Sequence, residues 1–322
     1  MLHNNALYWP IPLLKDVDGW KKLPIIECGE PLVPIGPFSR YPHIATSAIY
    51  AGERQDSPYA YGQLDGALLT TFVRQGVAEH LAQVAFRLPP RHMPLVLDAY
   101  RPLSVQRALF LYYCDVLIKR GIPGDQALEE AQQFVSIPSE DPTCPPPHNT
   151  GGAVDLTIIR FDAGYWKELM RLNQDIRQFD PSFSENWEYL YQAELKRSWL
   201  IREASVPLAM GTVFDAVQPK TATRFYERLP VDHLTPVISE IRNNRRMFYN
   251  TMASAGFSNY SEEWWHFDGG NQFAMARTGR QAIYGATTLS AENKRHEQMY
   301  RAWYGTLADD KRITKHPQAV AL

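Results

Sequence analysis

Two short stretches of the sequence carry side chains that together could hold a metal ion and activate water. Glu263 and His266 lie three residues apart in an aromatic-rich run near the C-terminal end, and His148 and Asp155 lie seven apart upstream. Two histidines and one carboxylate form a known ligand set for catalytic zinc, which leaves one coordination position for water. The remaining glutamate could then act as a base. These residue types predict metal-assisted hydrolysis.

The predicted chemistry gives each of these residues a role. Zinc held by His148, Asp155 and His266 would lower the pKa of its bound water to about 7. Glu263 would take up the proton as the water attacks a carbonyl carbon, and would then donate it to the departing amine. Arg101 is the candidate for stabilising the oxyanion, because its planar guanidinium stays charged.

Each of these residues also has a structural interpretation. His148 could be a hydrogen-bonding histidine without a ligand role, Glu263 could lie at the rim of a cleft, and Arg101 could pair with Asp98 or cap a helix. The combination of three candidate ligands, a base and an arginine favours the catalytic interpretation.

The local pattern indicates how the chain would present these side chains. Apolar and polar residues alternate over 153–159 with Asp155 on the polar side, which predicts a strand with one core face and one cleft face. Five prolines between 138 and 147 exclude regular structure there, so we expect His148 on a stiff loop. We also expect a strand through Glu263 and His266. Side chains three apart in a strand point to opposite faces, so the backbone must bend between these two residues.

The spacing of apolar residues predicts most of the other elements. We expect a buried strand over 95–100 and helices at 63–86, 104–119, 125–135, 161–205 (two helices), 234–254 and from about 288. Ser104 is the expected N-cap of the second helix. Residues 1–43, rich in proline and aromatic residues, should form an extended wrap over the core. After 288 we expect one helix and an irregular tail.

The composition is that of an ordinary globular protein. The chain has 322 residues, of which 45% are hydrophobic and 21% charged, and we predict a single domain over 1–322. A net charge of -2 gives no reason to expect nucleic acid or an anionic membrane as a partner. No apolar run is long enough to predict a membrane span. Three scattered cysteines and an N-terminus without a signal-peptide pattern favour a cytoplasmic location.

Four motifs in a fixed order resemble those of one family. They are Asp98-Ala-Tyr-Arg-Pro102, His148-x6-Asp155, Met210-Gly-Thr-x-Phe-Asp215 and Glu263-Trp-Trp-His266. Over roughly residues 44–286 the sequence is similar to the D-alanyl-D-alanine dipeptidase family of zinc peptidases. Each motif is short, but four of them in this order make the resemblance specific.

The resemblance implies the same three zinc ligands, the same base and the same arginine as the residue types did. It adds Asp215, which would bind the free ammonium of a small D-amino-acid dipeptide. The implied fold is α+β, with a central antiparallel sheet that carries one zinc ion per chain, helices packed on one side of it, and an inserted helical pair.

Two features depart from the family pattern. Pro146 stands where the family has a serine that helps to bind the substrate carboxylate, so Asn149 or Thr150 is expected to replace it. Residues 161–205 form the inserted helical pair. This pair could be an accessory element with its own small core, a subunit interface in a homo-oligomer, or a lid over the cleft.

The leading hypothesis is hydrolysis of the D-Ala-D-Ala dipeptide to two D-alanines. The nearest alternative is a D,D-carboxypeptidase or another hydrolase of peptidoglycan peptides on the same scaffold. A non-catalytic module that binds zinc or a peptide is a third interpretation, which the presence of Glu263 disfavours. Refusal of N-acylated substrates would separate the first two, because Asp215 is expected to require a free ammonium.

Overall fold

The computed structural model describes residues 5–14, 17–51, 64–132, 135–178 and 187–309. Within these ranges the chain forms eight α-helices and eight β-strands. The helices are α1 (Gln75–Arg87), α2 (Leu103–Lys119), α3 (Gly124–Ala131), α4 (Ala163–Gln178), α5 (Trp187–Ala204), α6 (Pro236–Ser254), α7 (Gln272–Thr278) and α8 (Ala291–Asp309). The strands are β1 (Leu32–Ile35), β2 (Ala45–Thr46), β3 (Thr71–Arg74), β4 (His92–Asp98), β5 (Ala153–Phe161), β6 (Ser205–Pro207), β7 (Ser258–Asn259) and β8 (His266–Asp268).

A mixed sheet with the strand order β2-β4-β5-β8-β7 runs through the centre of the fold. β2 is parallel to β4, whereas the other neighbouring pairs are antiparallel, and β6 pairs with the C-terminal end of β5. β1 and β3 form a separate antiparallel pair. The predicted α+β class is confirmed, and the sheet is antiparallel except at β2.

Hydrophobic cores lie against both faces of the sheet. Val96 and Leu156 belong to one core, together with residues of α1 and α6. Leu95 and Ile159 belong to the other, together with residues of α2, α3, α4, α5 and α8. Alternate residues of a strand face opposite sides, so β4 and β5 are buried on both. Helices therefore cover both faces of the sheet, whereas the family resemblance implied one.

Most predicted helices are present, but part of the first predicted helix is a strand in the structure. The predicted helix over 63–86 begins only at Gln75, because Thr71–Arg74 form β3. All four residues of β3 are buried, so this segment lacks the alternation of buried and exposed residues that identifies a strand. Ser104 is the second residue of α2, which starts after Pro102 without a side-chain cap, so the predicted cap is also wrong.

The other predicted boundaries lie close to the observed ones. The third predicted helix ends at Ala131, earlier than expected, and α8 begins at Ala291. The predicted tail over 310–322 lies outside the described residues, as do residue 63 and small parts of the predicted N-terminal wrap, third helix and helical pair. None of the described helices combines the length and apolar character that crossing a bilayer requires.

The helical pair α4–α5 belongs to the main core. Leu169 and Leu172 of α4 and Leu190 and Leu200 of α5 are buried in the core that they share with β5, α2 and α8. The pair therefore does not form a small core of its own. Its helices support one face of the central sheet.

A buried arginine of α5 also fixes the segment that leads into β2. Arg197 Nε donates to the Pro42 carbonyl at 2.9 Å, and its Nη2 donates to the Ile44 carbonyl at 2.9 Å. Nη1 lies 3.5 Å from Glu194 Oε2, and Glu194 Oε1 accepts a hydrogen bond from the Phe38 amide at 2.8 Å. Because the side chains of Arg197 and Glu194 are 1% and 0% exposed, the two charges depend on each other.

Replacing Arg197 with methionine is expected to lower the free energy of unfolding by about 3–5 kcal/mol, since Glu194 would stay buried without its cation. Urea denaturation of the variant and the wild type measures the change. Arg202→Met is the control in the same helix, because that side chain is 47% exposed. We expect the control to change stability by less than about 1 kcal/mol. Equal effects in the two variants would contradict the predicted role of the buried pair.

Candidate active site

Three neighbouring strands bring the predicted site residues side by side. Asp155 of β5 lies opposite Asp98 of β4 on one side and opposite His266 of β8 on the other. The register between β4 and β5 shifts just after Val96, which marks a bulge next to the site. The sequence predicted the strand that carries Asp155 but not this alignment, which depends on how three distant segments pair.

His148 reaches the same place from a short 3-10 helix, Pro147–Thr150, that follows the proline-rich segment. Its Nδ1 lies 2.8 Å from the Ala99 carbonyl, which orients the ring. Its Nε2 then lies 3.3 Å from His266 Nδ1 and 3.4 Å from Asp155 Oδ2. The ring nitrogen that is free to bind a ligand therefore points at the other two residues.

His148, Asp155 and His266 form a compact group, hereafter the metal group. Each offers one ligand atom, these atoms lie within 4.8 Å of one another, and all three residues are buried. His266 Nδ1 lies 2.9 Å from Asp155 Oδ1. Two ring nitrogens and a carboxylate that converge in this way, away from water, suit a divalent cation with nitrogen and oxygen ligands. The donor set thus fits the metal that the sequence predicted.

Asp268 fixes the far side of the His266 ring. His266 Nε2 lies 3.0 Å from Asp268 Oδ2, and Asn271 Nδ2 donates to Asp268 Oδ1 at 2.5 Å. When Nε2 donates to this carboxylate, Nδ1 carries no proton, and its lone pair can bind a metal ion. Sequence reasoning missed Asp268. The available signal was its position two residues after His266, which places both side chains on the same face of β8.

Glu263 lies in a turn, so the predicted strand through 263–266 is wrong for its first three residues, although the expected bend is present. The turn is held by Asn259 Nδ2, which donates to the carbonyls of Glu263 and His266 at 3.0 and 2.9 Å. It places Glu263 Oε2 3.9 Å from His266 Nδ1, with 26% of the Glu263 side chain exposed. The carboxylate therefore lies beside the metal group and faces the cavity.

The carboxylates of Asp155 and Glu263 differ in protonation. Loss of hydration raises the pKa of Glu263 to about 7; His266 works against this rise and Asp155 adds to it. Burial alone would raise the pKa of Asp155 as well, but His148 and His266 outweigh it and hold that pKa well below its usual range. Asp155 is thus ionised, as a metal ligand must be, whereas Glu263 can exchange a proton near neutral pH.

Arg101 lines the same cavity but is bound to Asp98. Its Nε and Nη2 donate to Asp98 Oδ2 at 2.9 and 2.5 Å, its Nη1 donates to Gln106 Oε1 at 2.8 Å, and its Nη2 also donates to the Tyr50 hydroxyl at 3.0 Å. Nη2 lies 4.0 Å from Asp155 Oδ2. The salt bridge with Asp98, which the sequence left open as an alternative, therefore exists and fixes the guanidinium beside the metal group.

Asp215 reaches the cavity from an irregular loop that begins near Met210. Its φ of 56° lies in the left-handed region, which aspartate adopts more readily than most residues other than glycine. Arg245 Nε donates to the Met210 carbonyl at 2.8 Å, and Trp264 Nε1 donates to Thr212 Oγ1 at 2.8 Å. The loop is thus tied to α6 and to the turn that carries Glu263.

A cavity of about 270 Å³ joins these side chains. It is lined by the metal group, Glu263, Arg101 and Asp215, and also by Trp20 and Lys21 of the N-terminal segment. Its size suits a small ligand. Among the described residues of α4 and α5, none lines this cavity, so the lid interpretation of the helical pair finds no support.

Asp268→Asn is expected to weaken metal binding about 10- to 100-fold, because the amide no longer enforces a donating Nε2 on His266. Competition with a chelating indicator measures the affinity without any substrate. The control is Asp232→Asn, whose side chain is 80% exposed and which should bind metal as the wild type does. Unchanged affinity in the Asp268 variant would show that this carboxylate does not orient the ring.

The sequence has matches among known proteins. A family model described as D-ala-D-ala dipeptidase matches residues 192–283, a stretch that contains Asp215, Glu263 and His266. The chain is also 25% identical over 269 residues to the D-alanyl-D-alanine dipeptidase of Synechocystis sp.. This alignment covers 78% of the present chain and 86% of the Synechocystis protein. The resemblance predicted from the motifs is therefore confirmed, and the chain is similar to the D-Ala-D-Ala dipeptidase family of peptidases.

Proposed function

We propose that the protein is a zinc peptidase that hydrolyses the D-Ala-D-Ala dipeptide to two D-alanines. The observation that carries the proposal is the buried metal group with Glu263 beside it, in one cavity with Arg101 and Asp215. The names of the family model and of the Synechocystis protein support the substrate class.

The metal group provides the ligands in this proposal. His148 Nε2, the Asp155 carboxylate and His266 Nδ1 would hold the ion, since these atoms converge while the other ring nitrogens contact Ala99 and Asp268. A bound divalent cation supplies polarisation of the scissile carbonyl and acidification of water. Zinc is our choice because two imidazoles and one carboxylate are a usual set for its catalytic sites.

Glu263 performs the proton transfers. A general acid or base works best when its pKa lies near the working pH, and the pKa of Glu263 is raised to about 7. The carboxylate can take a proton from the attacking water and donate it to the nitrogen that leaves with the second alanine. Its position in the turn, 3.9 Å from His266 Nδ1, keeps it next to the reacting carbonyl.

Arg101 stabilises the negative charge that develops on the carbonyl oxygen. Asp98 and Gln106 hold the guanidinium in one orientation, so little reorganisation is needed during the reaction. Burial lowers the pKa of Arg101, but the neighbouring acidic groups, above all Asp98, together raise it by more. The guanidinium therefore keeps its positive charge. In this proposal Arg101 has both roles that the sequence suggested, because it forms the salt bridge with Asp98 and also stabilises the oxyanion.

Asp215 recognises the amino end of the substrate. A free dipeptide carries an ammonium group, and a carboxylate on an anchored loop offers it a charge-assisted hydrogen bond. A D,D-carboxypeptidase has no such need, because its substrates have an acylated nitrogen at the corresponding position. This difference makes Asp215 the residue that separates the two functions. A cytoplasmic location and a homo-oligomer stay predictions.

Purified protein is expected to release D-alanine from D-Ala-D-Ala with zinc and to lose this activity after chelation. Glu263→Gln should lower kcat by roughly 10²- to 10⁴-fold, because the amide cannot transfer the proton. Glu262→Gln is the matched control, since Glu262 is exposed and does not line the cavity, and it should retain full activity. An inert wild type that still binds stoichiometric zinc would leave the metal site standing and overturn the substrate assignment.

N-acetyl-D-Ala-D-Ala is expected to be a poor substrate for the wild type, because its acylated nitrogen carries no charge for Asp215. Asp215→Asn should lower kcat/KM for the free dipeptide by about 10- to 100-fold, as expected for loss of a charge-assisted contact. Steady-state kinetics with both substrates measures the preference. Efficient cleavage of the acetylated peptide by the wild type would favour the carboxypeptidase alternative.

A further inference from the structure

We propose that Lys21 binds the terminal carboxylate of the dipeptide. The inference rests on the proposed dipeptidase function and adds the residue that recognises the second end of the substrate. A free dipeptide is a zwitterion, so the cavity must receive a carboxylate as well as an ammonium. Bringing that carboxylate next to Asp155, Asp215, Glu263 and Asp268 is unfavourable unless a cation meets it.

The two residues expected to bind the carboxylate are used elsewhere. Thr150 Oγ1 donates to the Pro147 carbonyl at 2.6 Å and accepts from the Gly152 amide at 3.0 Å. Asn149 Nδ2 donates to the Arg101 carbonyl. Neither residue is among the described residues that line the cavity. Another donor must therefore serve the substrate carboxylate.

Lys21 is the available cation. Within the described part of the chain, two of the residues that line the cavity are lysine or arginine, namely Arg101 and Lys21. Arg101 is engaged by Asp98 and Gln106. Lys21 Nζ lies 5.5 Å from the centre of the Trp20 ring, and no carboxylate of the described residues forms a salt bridge with it. The Lys21 ammonium therefore has no carboxylate partner among the described residues, and Lys21 is the cation that we assign to the substrate carboxylate.

The backbone of Lys21 is held although its ammonium is not. Lys21 belongs to the short 3-10 helix Trp20–Lys22. Gln272 Nε2, at the start of α7, donates to the carbonyls of Lys21 at 3.1 Å, Leu23 at 2.6 Å and Thr143 at 2.9 Å. One buried amide therefore fixes the N-terminal segment against the wall of the cavity, and it places the lysine there in a reproducible position.

A row of aromatic rings leads from Lys21 to the metal group. The ring centres of Trp20 and Phe273 are 5.7 Å apart, those of Phe273 and Tyr260 are 5.9 Å apart, and those of Tyr260 and His266 are 6.1 Å apart. Trp20, Phe273 and Tyr260 all line the cavity and give it an apolar wall beside the metal group. Such a wall suits the methyl group of a D-alanine residue.

Asp215 lines the same cavity. It is close to Tyr50, where burial in the first place, and then the charge of Asp215, raise the pKa of the phenol against the opposing effect of Arg101. Tyr50 accepts a hydrogen bond from Arg101 Nη2, which lies 4.0 Å from Asp155. Asp215 and Lys21 thus both line the cavity that contains the metal group, and they offer an anion for the ammonium of the dipeptide and a cation for its carboxylate.

The test compares D-Ala-D-Ala with its C-terminal amide, which lacks the negative charge. Lys21→Met should raise KM for the dipeptide roughly five- to twentyfold and leave kcat within about twofold, since the contact binds the ground state and transition state alike. KM for the amide should not change. Lys21→Arg should restore most of the affinity, and Lys22→Met, an exposed neighbour that does not line the cavity, should behave as the wild type.

The outcomes separate this inference from the proposed function. Equal KM changes for the acid and the amide in Lys21→Met, or no change for either, would overturn the role of Lys21 while the dipeptidase activity of the wild type stands. A wild type that hydrolyses neither compound would overturn the proposed function and the inference with it. A selective loss for the acid, reversed by arginine, supports both.

Discussion

The register of three antiparallel strands is the constraint on which the site depends. Asp98, Asp155 and His266 lie opposite one another across β4, β5 and β8. A slip of one residue in this register would bury the Asp155 side chain in a hydrophobic core and place Leu156 at the site. Because β5 fills a hydrophobic core on each face, apolar burial fixes the register far from any polar group. The repulsion between the adjacent carboxylates is offset by Arg101 and the imidazoles.

Irregular segments around the sheet are held by buried arginines that donate to main-chain carbonyls. A buried carbonyl without a partner is costly, and a guanidinium offers five donors in a fixed plane. The pairs are Arg74 with Thr150, Arg197 with Ile44 and Arg245 with Met210, at 2.8, 2.9 and 2.8 Å. Each of these carbonyls lies within a few residues of a segment that contributes to the site or to the sheet. These hydrogen bonds thus fix the position of segments that lack regular structure.

Residue types and spacing predicted the site better than they predicted the fold around it. His148, Asp155, Glu263 and His266 could be found because their chemistry is unusual in combination, and the structure brings them together. The role of Asp268 depends on which ring nitrogen faces the metal group, and spacing alone does not show this. Strand β3 was missed because burial on all sides removes the periodicity that distinguishes a strand from a helix. The bulge beside the site and the second helical layer required the strand pairing itself.

An early and a late segment of the chain meet at the wall of the cavity, where Gln272 Nε2 donates to the Lys21 carbonyl across 251 positions of sequence. His148 and His266 are likewise separated by 118 positions. Contacts this distant in sequence form late, after the loop-closure entropy between them has been overcome. A nascent chain on the ribosome can therefore pair β4 with β5 but has neither a complete ligand set nor a closed cavity. Hydrolytic capacity arises only once nearly the whole polypeptide has been synthesised, so a truncated translation product would be inert.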